Sequence, residues 1–350
     1  YMKDNLYWAE TFQHPNYDSY WKPRSVPQWL KNVKPAVLTV GGWFDAEDLY
    51  GALKTYGGIE KQNPGADTGT ATGPWSHGQW GEDSGERLGA IEFGSKTGEF
   101  FRDIQFRFFQ HYLKGEEEPK IAEATMFNTG ANQWREFDQW PPAQVAYEAM
   151  YLASNGRITF TEPDEAHDEF ISDPAKPVPY MAEVGASISR TYMVADQRYA
   201  LDRADVKTYT TGPLEADLTL AGEMKVGLWV STTGSDSDWI VKVIDVHPAD
   251  APGAMANYHM LVRGEIMRGK YRDNFEVPEP FVPGKPTRVA FPMQDVLHTF
   301  KKGHRLMVQV QCSWFPLVDR NPQTFVNIYT AKQEDFKAAV QRIFTGGTTA

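Results

Sequence analysis

The sequence predicts an α/β unit followed by an all-β unit, and three observations lead there. Up to about residue 115, short apolar runs alternate with segments whose apolar residues recur at helical spacing, the pattern of strand-helix repeats. Past residue 120 the texture changes to short runs rich in Val, Thr, Trp and Tyr, cut by Gly, Pro, Asn and Asp turns. At 350 residues the chain also exceeds one ordinary small domain, so two compact units are expected, residues 1–118 and 119–350.

Taken in order, the first residues, "YMKDNLYWAETFQHPNYDSYWK", are aromatic-rich and amphipathic, like the interior of a domain. "PAVLTV" (35 to 40) reads as a strand buried on both faces. Leu49, Leu53, Tyr56 and Ile59 then recur at helical spacing, so "GGWFDAEDLYG" (41 to 51) is a strand-to-helix turn with acids at the helix start. "TATGPW" is the next strand. In "EFFRDIQFRFFQHYLKGEEEP", Phe101, Ile104, Phe108 and Tyr112 share one helix face, and Gly115 with Pro119 ends the helix. The charged "KGEEEPK" is the expected linker. Beyond it, "DLTLAGEMKVGLWVSTTG" and "DWIVKVIDVHP" alternate apolar and polar residues, as sandwich strands with one wet face do. "TRVAFPM" and "HRLMVQVQCSW" are later strands. "QEDFKAAVQRIF" near the end looks helical, with an edge strand as the alternative.

Composition narrows the function. The formal net charge of -11, without a basic run, argues against nucleic-acid binding. No apolar stretch approaches the length of a membrane helix, and the first residues lack the pattern of a signal peptide. One cysteine, Cys312, excludes an internal disulfide and reads as buried strand filler.

In open α/β sheets, function collects at the carboxyl ends of strands. Asp45 follows "AVLTVGGWF", and His77 follows "TATGPW" in the Gly/Pro/Trp-rich loop "TGPWSHGQWG". An acid at one strand end and a histidine at the next match the chain order Ser, Asp, His of α/β-hydrolases. The acid would orient the imidazole, and the imidazole would relay a serine proton to the leaving group.

"GGWFDAEDLYG" followed by "GPWSHG" resembles the acid and base segments of the family that holds X-Pro dipeptidyl peptidases, cocaine esterase, α-amino acid ester hydrolases and cephalosporin acylases. "NQWREFDQWPP", "DPAKPVPY", "STTGSDSDWIVKVIDVHP", "MLVRGEIMRGKYR" and "VQVQCSWFPLVDRNPQT" resemble successive segments of that family's C-terminal jelly-roll domain. The resemblance implies a partial α/β-hydrolase domain followed by a jelly-roll β-sandwich, with Asp45 as triad acid and His77 as triad base. It also implies that Glu47 and Asp48 belong to a carboxylate cluster binding a substrate's α-ammonium group. Opposing charge there would offset lost hydration, on the order of several kcal/mol per ion. The implied substrate is a small ester, amide or short peptide, with no cofactor and no metal, and the family suggests a secreted or periplasmic setting.

One part of the pattern is missing. No serine stands in a Gly-x-Ser-x-Gly elbow: Pro74 lies two residues before Ser76, Phe93 before Ser95 and Thr233 before Ser235. The expectation is therefore a C-terminal portion of a longer enzyme, inactive alone, whose partner is the absent half or a second copy. Three other readings stay open. Ser76 beside His77 is a substitute nucleophile, although its loop offers no oxyanion hole. Asp45, Glu47, Asp48 and His77 form an oxygen-rich cation site. The β unit is a non-catalytic binding module. Asp45, Glu47 and Asp48 could also simply serve a helix start, and Trp43, Trp75 and Trp80 read as packing. The other histidines (His14, His111, His167, His247, His259, His298, His304) show no shared metal spacing.

Overall fold

The apolar run at 37–40 does form a strand, but one open on a side. A computed structural model describes residues 5–117 and 120–347. After helix α1 (Leu6–Gln13), strand β1 (Val37–Gly42) leads into helix α2 (Leu49–Gln62) and strand β2 (Thr68–Gly73). Helix α3 (Gln79–Glu82), the small hairpin β3 (Arg87–Leu88) and β4 (Ile91–Glu92), and helix α4 (Thr97–Lys114) follow, then β5 (Ala124–Asn128) and β6 (Gln133–Phe137). These strands build one sheet in the order β1-β2-β5-β6, parallel from β1 to β5 and antiparallel at β6.

Several expectations change here. β1 is expected to be buried on both faces, yet Val37, Leu38, Thr39 and Val40 are only half-buried, and among the described residues β1 ends the sheet and pairs with β2 alone. The sheet runs across the expected division at 118/119, with β5 pairing to β2 and β6 pairing to β5. Residues 118 and 119 of the expected linker, Pro119 included, lie outside the described residues. Gly115 does cap α4, at φ 71°. Along α4, Phe101 and Ile104 are buried, but Phe108 is half-buried and Tyr112 exposed, so the apolar face leaves the core in its second half.

The rest of the chain is a β-sandwich. Its strands are β7 (Tyr151–Ala153), β8 (Arg157–Thr159), β9 (Ala166–Ser172), β10 (Val206–Thr210), β11 (Leu218–Thr232), β12 (Asp238–Val246), β13 (His259–Arg268), β14 (Thr287–Phe300), β15 (Arg305–Gln311) and β16 (Ala339–Thr345). One sheet runs β13-β12-β15-β10-β8-β7, the other β14-β11-β16-β9. Between them lies a core that includes Tyr209, Val230, Trp239, Val241, Val289, Phe300, Val310 and Ile343. Cys312, just past β15, is buried in it.

β12 departs from the expected wet face. Trp239, Val241 and Val243 face the core between the sheets, while Ile240 and Ile244 enter a second core shared with Trp43, Phe44, Met126 and Phe127 of the first unit. The α/β unit covers what would have been the solvent side. The segment "QEDFKAAVQRIF" is corrected as well. After one 3-10 turn at Gln333–Asp335 it enters β16, which is paired on both sides and buries Ala339, Gln341, Ile343 and Thr345 in strict alternation. Two neighbouring strands override its helical preference. No helix of the described residues is long and apolar enough to cross a membrane.

Candidate active site

Glycine brings the two candidate loops together. A Cβ on Gly42 would lie 2.2 Å from the Trp75 carbonyl oxygen, and one on Gly73 2.4 Å from the Trp75 ring. Bare backbone at both strand ends lets the loops touch. Trp43 N–H then donates to Gly73 O (2.8 Å) and Phe44 N–H to Trp75 O (3.1 Å). Trp75, fully buried, donates from Nε1 to Thr97 Oγ1, and Trp43 donates from Nε1 to Phe127 O, so both tryptophans are packing anchors.

Asp45 and His77 meet in this frame. His77 Nδ1 lies 3.1 Å from each carboxylate oxygen of Asp45. Asp45 is buried at 4% exposure, and its Oδ1 also accepts the backbone N–H groups of Glu47 (2.8 Å) and Asp48 (2.9 Å). These bonds hold the carboxylate in place. The His77 side chain stays about half exposed, and its Nε2 is 4.0 Å from Glu47 Oε2, beyond hydrogen-bond reach. An imidazole held at Nδ1 by a buried carboxylate, with Nε2 open, has the arrangement of a general base.

Glu47 and Asp48 do not converge on one point. Glu47 is 70% exposed and lines a cleft of about 330 Å³ with Ala46, Ser76, His77, Ile188, Ser189 and Arg190. Asp48 borders a second cleft, on the β1 side, with Asp45 and His77. It is also the N-cap of α2: its Oδ1 accepts the Gly51 N–H at 3.0 Å, and a Cβ at Gly51 would lie 2.0 Å from that oxygen, so a larger residue there would push the capping carboxylate aside. Ser76 is buried and spends its hydroxyl on Gln79 Oε1 (3.4 Å). Among the described residues, Asp45, Glu47, Asp48 and His77 form no set of three donors within 4.8 Å of one another.

Four residues came from outside the motifs. Arg190, from a loop of the sandwich unit, donates from Nη2 to the His77 carbonyl (2.6 Å) and to Glu82 Oε2 (2.9 Å), and Ile188 and Ser189 of that loop wall the first cleft. Arg263 of β13 is fully buried and donates to Trp43 O and Asp295 O, both at 2.8 Å, bracing the turn that carries Asp45. Burial pulls its pKa down to about 10, against the opposing pull of Asp295 and Glu265, so it remains cationic at neutral pH. No local signal marks these residues, since each acts across more than a hundred positions of chain.

The histidines away from the site also differ from expectation. His14 pairs with Asp18 and His111 with the Glu116 carbonyl, each locally. His247, His298 and His304, however, gather around the buried Asp245.

Similarity to known proteins covers nearly the whole chain. Residues 115–350 match the family described as the X-Pro dipeptidyl-peptidase C-terminal non-catalytic domain, and residues 1–79 match X-Pro dipeptidyl-peptidase (S15 family). Cocaine esterase from Rhodococcus sp. (strain MB1 Bresler) is 29% identical over 349 residues, 96% of this chain and 59% of that protein. An aminopeptidase structure from the marine sediment archaeon Thaumarchaeota archaeon superimposes with a TM-score of 0.94 at 40% identity, covering 98% of this chain and 59% of that one. An α-amino acid ester hydrolase structure gives 0.93 at 35% identity, with the same coverage. The chain therefore spans 59% of the length of each of these relatives. With a family match over more than half of its residues, and with a peptidase-family match and an esterase beside it, the chain belongs to the X-Pro dipeptidyl-peptidase family of serine hydrolases.

Proposed function

We propose that this chain carries the acid and the base of a Ser-Asp-His hydrolase that transfers an acyl group from an ester or amide to water. The observation that carries the reading is the Asp45–His77 contact, with Nδ1 at 3.1 Å from both carboxylate oxygens and Nε2 open to the cleft. Asp45 accepts a hydrogen bond from Nδ1–H, which fixes the tautomer with the lone pair on Nε2. Nε2 takes the proton of a serine hydroxyl as the serine attacks the carbonyl, then returns it to the departing alcohol or amine. Water repeats the cycle on the acyl-enzyme. The serine belongs to a Gly-x-Ser-x-Gly elbow outside these 350 residues. The open edge of β1, paired on one side only among the described residues, is where a strand leading to that elbow would continue the parallel sheet of an α/β-hydrolase. The sandwich serves as a jelly roll packed beside the site, its loop at 188–190 walling the acyl pocket.

For substrate, we infer an α-amino acyl group whose ammonium meets Glu47 in the first cleft, with Asp48 adding negative charge from the second, in line with the names of the aminopeptidase and α-amino acid ester hydrolase relatives. Both acids lie beside His77, one on each cleft. A fluorophosphonate probe tests the triad. In the natural gene product it should label a serine outside these residues, and Asp45→Asn should slow that labelling and kcat by about 10³–10⁴-fold. A label on Ser76, or unchanged labelling in Asp45→Asn, refutes the assignment.

A further inference from the structure

We propose that Asp245, His247 and His304 form a binding site for a divalent first-row transition ion, zinc being the simplest, at one end of the sandwich. Asp245 is near the end of β12, His247 one residue past that strand, and His304 immediately before β15, which pairs with β12 through Asp245 opposite Leu306 and Val246 opposite Arg305. The backbone register thus brings three donors from two distant segments to one spot. A ligand atom of each lies within 4.8 Å of those of the other two.

His247 Nε2 is the telling atom. It is buried without a hydrogen-bond partner among the described residues, and it lies 3.9 Å from Asp245 Oδ2. That gap is too long for a hydrogen bond and suits an ion between the two, since bonds of about 2.0–2.2 Å place tetrahedral ligands roughly 3.4 Å apart. His304 Nδ1 lies 2.8 Å from Asp245 Oδ1, and the His247 and His304 rings are 4.5 Å apart between centroids. Ring movements on the order of 1 Å complete the set. Two imidazoles and one carboxylate favour zinc, cobalt or nickel over calcium or magnesium, which prefer oxygen ligands.

The surroundings supply the outer support such sites need. His298 of β14, in the facing sheet, approaches Asp245 Oδ2 with Nε2 at 3.2 Å, and its Nδ1 lies 2.8 Å from Thr129 Oγ1. Thr129 is bonded by backbone to Leu297 and Thr299, where the chain past β5 meets β14. An ion here would fasten β12 to the β14–β15 hairpin beside the seam between the two units. Both His247 and His304 are only partly buried, which leaves a path for the ion and room for a solvent ligand.

Titration of chelator-stripped protein with zinc chloride, followed by calorimetry and thermal melting near neutral pH, tests the site. One equivalent should bind, with a rise in Tm of several degrees at saturation. His247→Ala, which removes the unpartnered ligand, should weaken binding at least tenfold, while His167→Ala, on an exposed strand position, should leave it unchanged. Absence of saturable binding, or equal affinity in His247→Ala, overturns the proposal. A cobalt titration of the unaltered protein gives an independent reading. A visible d–d band typical of four- or five-coordinate nitrogen and oxygen ligation supports the site, and its absence shows an Asp245 network held by hydrogen bonds alone.

Discussion

Lys242 stands in β12 at a position that strand alternation assigns to solvent, yet it is wholly buried. Its Nζ donates to Gln197 Oε1 (3.1 Å) and approaches Tyr199 Oη (3.4 Å), over the Trp314 ring at 5.2 Å, with no carboxylate paired to it among the described residues. Desolvation pulls its pKa from 10.5 to about 7. The unfolded chain holds this proton up to about pH 10, so between the folded and unfolded values the unfolded state binds more protons and stability rises with pH. Lys242→Met should flatten that rise. It should stabilise the protein most below pH 7, by up to about 5 kcal/mol at roughly 1.4 kcal/mol per unit, less whatever the lost hydrogen bonds contributed. Urea denaturation across the pH range checks this, and a variant that keeps the wild-type slope would show that Lys242 is not the titrating group. The contrast with Asp45 and His77 is physical. Those two are declared by neighbours within a few residues, whereas the environment of Lys242 is assembled from Gln197, Tyr199 and Trp314, tens of residues away.

At the scale of elements, the turn between β1 and α2 does two jobs through adjacent acids. Asp45 pins His77, and Asp48 starts the helix. The jobs separate by substitution. Asp48→Ala should cost about 1 kcal/mol of stability through the lost cap, while Asp48→Asn, an equally good cap, should keep stability within about 0.5 kcal/mol. If Asp48 also holds the substrate's ammonium, Asp48→Asn should raise KM for an α-amino ester but not for its des-amino analogue; equal KM changes for both would sink that role. Gly42→Ala should be worse than either. Its methyl meets the Trp75 carbonyl, so a loss of roughly 1–3 kcal/mol is expected, with His77 drawn out of register with Asp45. Denaturant midpoints measure the first effect and kcat the second. The turn and both loops were legible because Gly, Pro, Trp and Asp act locally. β16 was not, because its strand conformation is imposed by pairing to Thr232 and its neighbours on β11 and to Ser172 and its neighbours on β9.

Over the whole molecule, the two units are joined by a shared core and by one buried cation. Arg263→Met would leave the carbonyls of Trp43 and Asp295 buried without their donor, at about 1–3 kcal/mol each, so a loss of roughly 2–6 kcal/mol is expected. A drop in Tm with the two units melting separately would mark Arg263 as the brace between them; an unchanged single transition would show that the apolar interface suffices. The sequence by itself determined the order of α/β and all-β units, the strand-to-helix turn, the helix stop at Gly115, and the acid and the imidazole that meet, because each is written in spacing and residue type over a dozen positions or fewer. Only the tertiary structure decided that β5 and β6 finish the first sheet, that β12 has no wet face, that Arg190 and Arg263 reach the site, and that three histidines close on Asp245. Burial depends on which surface arrives from elsewhere in the chain, and no local period carries that information.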